Sequence, residues 1–226
     1  MITSAANPRL KLIRKLASRR QREKLGLFVA EGEDLVEAAA AAGIQPVDLL
    51  VAGEDLDRKL LADVSTLAHA PRVIGVFRRD DLPPFEQRAV ALALWQVADP
   101  GNVGTLVRAA DAFGAAVGLS PGCADPTGPK ALRASAGAIF RVPLGGFDDP
   151  AGRRIALVAR AGQPLHELAR EDPTVFVLGA EREGLPDDLL ARCDGVASIP
   201  IAAGAESLNV AVAGAIALYE RRRGRA

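Results

Sequence analysis

Short apolar runs alternate with helix-forming segments along most of the chain, and this alternation constrains the fold more than any other feature. In the N-terminal part, apolar runs predict strands over residues 27–30, 47–51 and 73–77. Helical spacing of apolar residues predicts helices over residues 8–24, 33–42 and 56–68. Strands and helices in alternation are typical of an α/β fold.

A polar segment with two prolines, residues 78–84, divides this alternation into two series and is the best candidate linker. The second series predicts strands over residues 90–97, 117–120, 139–142, 155–159, 175–178 and 196–201. We therefore predict two α/β domains, residues 1–84 and 85–226. Because knotted chains are rare, periodicity alone indicates an unknotted, Rossmann-like sheet in the second domain.

Positive charge is concentrated at the two ends of a chain whose formal net charge is zero. Glu23 is the one acid before Glu31, against eight basic residues: Arg9, Lys11, Arg14, Lys15, Arg19, Arg20, Arg22 and Lys24. The C-terminal end adds Arg221, Arg222, Arg223 and Arg225. Such clusters indicate a surface for a polyanion, but a solvated helix face explains them equally well on charge alone.

Metal and thiol chemistry are not expected. The two cysteines, Cys123 and Cys193, and the two histidines, His69 and His166, have no zinc-site spacing and no Cys-His pairing. Two cysteines without a hydrophobic leader fit a reducing compartment, so we expect a cytoplasmic protein. No apolar run reaches the roughly twenty residues that a membrane span needs, so no membrane partner is expected.

Three polar loops each follow a predicted strand of the second domain. They cover residues 99–108, 178–186 and 207–209. Ligands of α/β sheets bind outside the carboxyl ends of the strands, so these loops are predicted to meet at one site. Taken singly, Asn102 is a plausible helix cap, Arg108 a surface charge, and Gly179 and Gly184 turn glycines. The middle loop matches neither the dinucleotide fingerprint nor the phosphate loop, which argues against a nucleotide-dependent oxidoreductase.

The three loops together resemble a known family. The chain reads Asp-Pro-Gly-Asn-(x5)-Arg-(x2)-Asp-Ala-Phe-Gly, then Leu-Gly-x-Glu-(x2)-Gly, then Ile-Pro-(x6)-Ser-Leu-Asn-Val-(x3)-Gly-(x4)-Tyr-Glu. This order is similar to the three signature motifs of the SpoU (TrmH) family of RNA ribose 2′-O-methyltransferases, within the SPOUT superfamily. With residues 134–143, which also resemble a family segment, the match covers about residues 92–219. The N-terminal part is similar to the family's substrate-binding domain, with looser motifs.

The resemblance implies a C-terminal α/β trefoil-knot (SPOUT) methyltransferase domain, joined to a small N-terminal α/β substrate-binding domain. It also implies a homodimer that holds S-adenosyl-L-methionine, bent, in the knot loops at the dimer interface. The residues expected at the cofactor are Leu178, Gly179, Ile199, Ile201 and Leu208. The expected catalytic cluster is Asn102, Arg108, Glu181, Ser207 and Asn209. From the basic N-terminal helix, the expected RNA-binding residues are Arg9, Lys11, Arg14, Lys15, Arg19 and Arg20.

These residue types suit methyl transfer to a ribose hydroxyl. A sulfonium methyl is a strong electrophile, so the enzyme must chiefly hold the hydroxyl in line and help its proton leave. Family proposals give the proton-accepting role to the residue that is Arg108 here. Because a guanidinium stays protonated, with a pKa above about 12, we favour Arg108 as a clamp on the target phosphate and a polariser of the hydroxyl, unless dimer burial lowers that pKa.

The expected function is therefore RNA 2′-O-methylation, with 23S rRNA as the first candidate substrate. That preference rests on the separate N-terminal domain, which resembles those of rRNA-modifying members. Transfer RNA is the alternative substrate. A non-catalytic RNA-binding or ribosome-assembly protein that keeps the fold is the alternative function, although pure binding would not require the polar cluster.

Overall fold

A computed structural model of the protein describes residues 1–169 and 171–223, and it contains two β-sheets. The N-terminal part, residues 1–78, holds a three-stranded sheet, and the C-terminal part, residues 90–223, holds a seven-stranded sheet. Both parts mix helices with strands, so the predicted α/β class is confirmed.

In the N-terminal part, four helices surround an antiparallel sheet of order β1-β3-β2. The strands are β1 (Leu27–Glu31), β2 (Asp48–Val51) and β3 (Val73–Arg78). The helices are α1 (Pro8–Leu16), α2 (Arg19–Leu25), α3 (Glu33–Ala41) and α4 (Arg58–Ala62). Leu10, Ile13 and Leu16 of α1 recur at helical spacing and are buried in the core, which leaves the basic residues of α1 outside.

Two of the predicted helices are wrong in their extent. The single helix predicted over residues 8–24 breaks at Ser18, whose backbone is extended, and the guanidinium of Arg22 donates hydrogen bonds to the carbonyls of Leu16 and Ala17 at the break. The helix predicted over residues 56–68 is only α4. Beyond α4 the buried carboxylate of Glu31 accepts hydrogen bonds from the hydroxyl and backbone N–H of Thr66, which holds the chain in turns.

The seven strands of the C-terminal part are all parallel, in the order β6-β5-β4-β9-β7-β10-β8. They are β4 (Val90–Leu94), β5 (Ala116–Leu119), β6 (Leu144–Gly146), β7 (Arg153–Val158), β8 (Gln163–Pro164), β9 (Thr174–Leu178) and β10 (Gly195–Ser198). The helices are α5 (Pro100–Phe113), α6 (Pro129–Ser135), α7 (Asp187–Leu190) and α8 (Val210–Arg222). In a Rossmann sheet the fourth strand lies beside the first, whereas here β9, the sixth strand of this sheet, takes that place beside β4.

One predicted strand is absent. Residues 139–142 fall on a 3₁₀ turn, Ala138–Phe140, because Ala136 and Gly137 before it adopt positive φ angles of 47° and 81°. The strand begins later, at Leu144, and α6 before the turn was not predicted at all. Ile139 and Phe140 instead pack against the N-terminal part, where the ring of Phe140 lies 6.2 Å from that of Phe28.

Glycines bring α5 close to its neighbours. A Cβ on Gly214 of α8 would lie 2.3 Å from Cδ2 of Leu106 in α5, and a Cβ on Gly104 of α5 would lie 2.3 Å from the carbonyl oxygen of Ala131 in α6. Both distances are far below van der Waals contact, so a larger residue at either position would force its neighbour to move. Among the described residues, no helix combines the length and the hydropathy that crossing a bilayer would demand.

Candidate active site

A pocket of about 460 Å³ opens at the carboxyl ends of β7, β9 and β10. Its walls are mostly apolar and come from Leu157, Leu178, Leu185, Ile199, Ile201, Leu208, Val210 and Ala213. Polar groups converge at one side of it, from Glu181, Arg182, Ser207 and Asn209. The volume and this mixed lining are typical of a site for a ligand with both apolar and polar parts.

An amide relay, which we define as Asn209, Asn102 and Glu181, joins all three polar loops at the pocket. The Nδ2 of Asn209 donates to Oδ1 of Asn102 at 3.0 Å. The Nδ2 of Asn102 donates in turn to Oε1 of Glu181 at 2.9 Å. The side chain of Asn102 is thus hydrogen-bonded to two residues that lie 79 and 107 positions away in sequence.

The orientation of both amides in the relay follows from the N-cap of α8. Asn209 is the N-cap of α8, and its Oδ1 accepts from the backbone N–H groups of Ala211 and Val212 at 2.9 and 3.3 Å. Its Nδ2 must therefore face Asn102, which then has only its own Nδ2 left for the carboxylate of Glu181. Helix capping thus sets the direction of hydrogen bonding across the whole relay.

Asp99 holds the start of α5, which carries Asn102. Its Oδ1 accepts from the backbone N–H of Asn102 at 3.0 Å, and its Oδ2 pairs with Nζ of Lys130 at 2.7 Å. The hydrogen bond from Lys130, and then the one from the Asn102 backbone, hold the pKa of Asp99 below its usual range. The carboxylate therefore stays charged at neutral pH and suits the N-terminal end of a helix.

The glycines of the middle loop shape one pocket wall. The Ala180 N–H donates to the Gly184 carbonyl at 3.1 Å, and the Gly184 N–H donates back to Ala180 at 3.0 Å. A Cβ on Gly179 would lie 2.3 Å from the Gly184 carbonyl, so glycine is required there by its own loop and not by a positive φ. Gly184, in contrast, has a φ of 68° in the left-handed region.

The predicted site residues come together with one exception. All five residues predicted at the cofactor line the pocket, as do Glu181, Ser207 and Asn209, while Asn102 joins them through the relay. Arg108 lies outside this group: its exposed guanidinium makes no hydrogen bond or ion pair with the described part of the chain. Six residues separate it from Asn102 on α5, which corresponds to about 9 Å along the axis and a rotation of roughly 120°.

The predicted RNA-binding cations divide into three groups. Arg9 forms a bidentate ion pair with Asp48, and Arg19 pairs with Glu23 at 2.8 Å. Those hydrogen bonds raise the pKa of both arginines above its ordinary value. The exposed side chain of Arg14 donates to a backbone carbonyl, whereas those of Lys11, Lys15 and Arg20 make no hydrogen bond or ion pair with any described residue. At the other end, Arg225 lies outside the described residues.

Sequence reasoning missed two kinds of residue at this site. Asp99 and Lys130 support the relay from outside, and an acid directly before a helix-starting proline is a recognisable capping signal. The pocket wall from β7, residues 157–159, carries no motif and could be found only from the sheet order. Within the described residues, neither histidine lines the pocket and no cluster of potential metal ligands occurs.

Two family models match the chain. The model of the SpoU rRNA methylase family matches residues 89–219, which include all three polar loops. The model of the MRM3-like substrate binding domain matches residues 7–79, which include the basic helices. The two matches together leave only residues 1–6, 80–88 and 220–226 uncovered.

Individual relatives match almost the whole chain. A tRNA/rRNA methyltransferase of Synechocystis, itself uncharacterized, is 33% identical over 98% of this chain and 93% of its own length. The 23S rRNA (guanosine(2553)-2′-O)-methyltransferase of Bacillus subtilis is 31% identical over 98% of both chains. The crystal structure of an AdoMet-bound rRNA methyltransferase from Sinorhizobium meliloti superposes with a TM-score of 0.86 at 29% identity, over 98% of this chain and 97% of that one.

Proposed function

Since the chain belongs to the SpoU rRNA methylase family, we propose that it is an S-adenosyl-L-methionine-dependent RNA methyltransferase that acts on a ribose 2′-hydroxyl. The observation that carries the proposal is the amide relay at the pocket, because it joins the three motif loops into one polar cluster. A protein that only bound RNA would gain nothing from such a cluster. We further propose 23S rRNA as the substrate, by analogy with the Bacillus subtilis relative.

The pocket fits the cofactor in size and chemistry. Apolar side chains of Leu178, Ile199 and Ile201 suit an adenine ring, and the backbone of Gly179 and the loop before Leu208 leave polar atoms for its ribose and amino-acid parts. When bound, S-adenosyl-L-methionine supplies an electrophilic methyl group. These residues would hold it, and no further ligand set is required.

The polar cluster and Arg108 then have to bind the RNA and position its ribose hydroxyl. We assign Ser207 and Asn209, which line the pocket, to positioning the ribose hydroxyl, and Glu181 to orienting Asn102. Arg108, which is exposed and free to reach a phosphate, clamps the target nucleotide and polarises its hydroxyl. With the cofactor bound, its methyl group would pass to the ribose oxygen as the C–S bond breaks, and the hydroxyl proton would go to solvent water.

We propose that the protein is a homodimer through the exposed apolar face of α8. Val212 and Tyr219 are 47% and 55% exposed, and Ile216 between them shares their side of the helix. Leu208, which lines the pocket, is also exposed and continues this face up to the site. Val212→Glu should therefore yield monomers in light scattering, whereas the control Val47→Glu, at a similarly exposed valine of the N-terminal part, should not. A wild-type monomer at micromolar concentration would contradict this proposal.

The remaining expectations stay predictions. They are the domain boundary between residues 84 and 85, the trefoil knot, the cytoplasmic location and the RNA-binding role of the N-terminal cations. Two observations support the RNA-binding role. Residues 7–79 match a substrate-binding family model, and the side chains of Lys11, Lys15 and Arg20 make no hydrogen bond or ion pair with any described residue.

The proposal is tested by incubating the purified protein with methyl-labelled S-adenosyl-L-methionine and separate unmodified transcripts of 23S rRNA, 16S rRNA and tRNA. We expect label in alkali-resistant dinucleotides from 23S rRNA, since a 2′-O-methyl group blocks alkaline cleavage. Label from tRNA alone would transfer the proposal to the alternative substrate. Cofactor binding without label in any pool would favour the non-catalytic RNA-binding protein.

One variant separates the binding of the RNA from the binding of the cofactor. Arg108→Ala should abolish transfer while cofactor affinity, measured by calorimetry, stays unchanged, because Arg108 lies away from the pocket. An equal loss of methyl transfer and of cofactor affinity would exclude Arg108 as a substrate clamp.

A further inference from the structure

A buried ion cluster fixes the N-terminal part on the C-terminal part. The side chains of Arg22 in α2 and Asp125, in the loop after β5, are 5% and 4% exposed and are joined at 2.8 Å. Arg79 adds a second contact to Asp125 at 3.4 Å, and Thr127 donates to it through both its hydroxyl and its backbone N–H. Burial by itself raises the pKa of Asp125, but the Thr127 hydrogen bond and the charge of Arg79 outweigh it, so the net pKa lies below its usual range.

The same guanidinium also holds its own helices together. Nη1 of Arg22 donates to the carbonyls of Leu16 and Ala17, each at 2.9 Å, where α1 ends before α2 begins. One buried side chain thus joins α1, α2 and a loop of the C-terminal part, 103 residues away in sequence. Breaking either partner of such a pair would leave the other charged and buried, which is costly.

Apolar contacts across the same boundary make the junction rigid. The rings of Phe28 and Phe77 lie 6.2 and 5.6 Å from that of Phe140. Gly137 meets Ala38 so closely that an added Cβ would lie 2.4 Å from the Ala38 Cβ. A close-packed junction with a buried ion pair does not permit the hinge motion expected of two loosely linked domains.

The junction lies at the edge of the sheet that carries the active site. All seven strands are parallel, so the loop after β5 is on the same edge as the loops after β4 and β9, which carry Asn102 and Glu181. Arg19 donates to the carbonyl of Cys123 in the loop after β5 at 2.9 Å, which holds α2 beside this edge. On α2, Arg20 is two residues from Arg22 and so points to the opposite side, where it is exposed.

We infer that the Arg22–Asp125 pair makes the N-terminal cations and the methyl-transfer pocket one fixed surface, so that the protein selects a folded RNA by the span between its phosphates and the target ribose. This inference rests on the proposed function and deepens it. Arg22 and Asp125 touch neither RNA nor cofactor and are positioning residues. A rigid surface recognises shape without paying an ordering cost on binding, which suits folded RNA more than flexible single strands.

The test uses the full-length protein and a folded 23S rRNA transcript. Asp125→Asn removes the negative charge that pairs with both Arg22 and Arg79. Asp148→Asn is the matched control, because it breaks an ion pair on the surface: Asp148 and its partner Arg192 are 70% and 61% exposed. We expect Asp125→Asn to raise the KM for the transcript by roughly tenfold or more, with kcat and cofactor Kd within about twofold of wild type. The control should match wild type in all three quantities.

Two milder variants keep the inference testable if Asp125→Asn does not fold. Thr127→Val removes a hydrogen bond to Asp125, and Gly137→Ala places a methyl group against Ala38 at the junction; both should raise the KM selectively. An unchanged KM in the folded variants, or a parallel loss of cofactor affinity and kcat, would overturn the inference. Wild-type protein that methylates no RNA would instead refute the proposed function, so the two failures are distinguishable.

Discussion

Exchanging the N-cap of α8 separates the structural task of Asn209 from its task in the active site. Asn209→Ala removes the cap acceptor for Ala211 and Val212 and also the hydrogen bond to Asn102. An N-cap contributes about 1 kcal/mol and a hydrogen bond of this kind about 1 kcal/mol, so the free energy of unfolding should fall by roughly 2 kcal/mol. For a chain of this size that corresponds to a decrease in Tm of roughly 4–8 °C.

Asn209→Asp has nearly the same shape as the wild-type side chain and keeps the helix cap, but it also disrupts the relay. Its carboxylate keeps the cap acceptor and suits a helix N-terminus, so stability should stay within about 1 kcal/mol of wild type. However, it places an acceptor 3.0 Å from Oδ1 of Asn102. If the Asn102 amide flips to donate to it, Oδ1 of Asn102 turns against the carboxylate of Glu181. Either arrangement leaves two acceptors facing each other.

The assays are thermal unfolding, cofactor binding by calorimetry and single-turnover methyl transfer. We expect the alanine variant to lose both stability and transfer, and the aspartate variant to keep its Tm while transfer falls by more than roughly tenfold. Transfer at the wild-type rate in Asn209→Asp would refute the relay as a functional unit. A wild-type Tm in Asn209→Ala would refute the capping argument.

Three further outcomes follow from the structure. Gly214→Ala should lower the free energy of unfolding by about 1–3 kcal/mol in denaturant titration, because its methyl group would overlap Leu106; a neutral result would mean that α5 and α8 separate easily. The pKa of Asp125 is depressed in the folded state. The carboxylate therefore stabilises the fold fully above its unfolded pKa of about 3.9, and this stabilisation is lost as the pH falls through the folded pKa. Asp125→Asn should thus flatten the acid limb of a curve of stability against pH, and identical limbs in variant and wild type would contradict this. Lys15→Ala and Arg20→Ala should each weaken RNA binding uniformly and reduce the log–log salt slope by about 0.9, and an unchanged slope would remove these side chains from the interface.

The pocket itself was within reach of the sequence. Leu178 ends β9, Ile199 directly follows β10 and Leu208 lies in the loop between β10 and α8. Parallel strands bring their carboxyl ends to one edge of a sheet. Local order therefore predicted which loops meet. It could not predict the β7 wall of the pocket, because that wall depends on β7 lying between β9 and β10, a matter of strand order.

Element boundaries were predicted wrongly where individual side-chain contacts or positive φ angles override the periodic pattern. The periodicity of residues 8–24 favours one helix, yet the chain breaks at Ser18, where the guanidinium of Arg22 satisfies the exposed carbonyls. Apolar residues 139–142 predict a strand, but positive φ at Ala136 and Gly137 turns the chain so that Phe140 packs on the N-terminal part.

The sequence by itself determined the α/β class, the family and the motif residues that line the pocket, because these are carried by periodicity and by short motifs whose chemistry is local. Only the tertiary structure decided that Asn102 links Glu181 to Asn209, that Arg108 lies apart from them, and that Arg22 joins Asp125 across the two parts of the chain. Those relations join residues 79 to 107 positions apart. A hydrogen bond depends on distances of a few tenths of an ångström, which strand order and helix packing set and which no local pattern records.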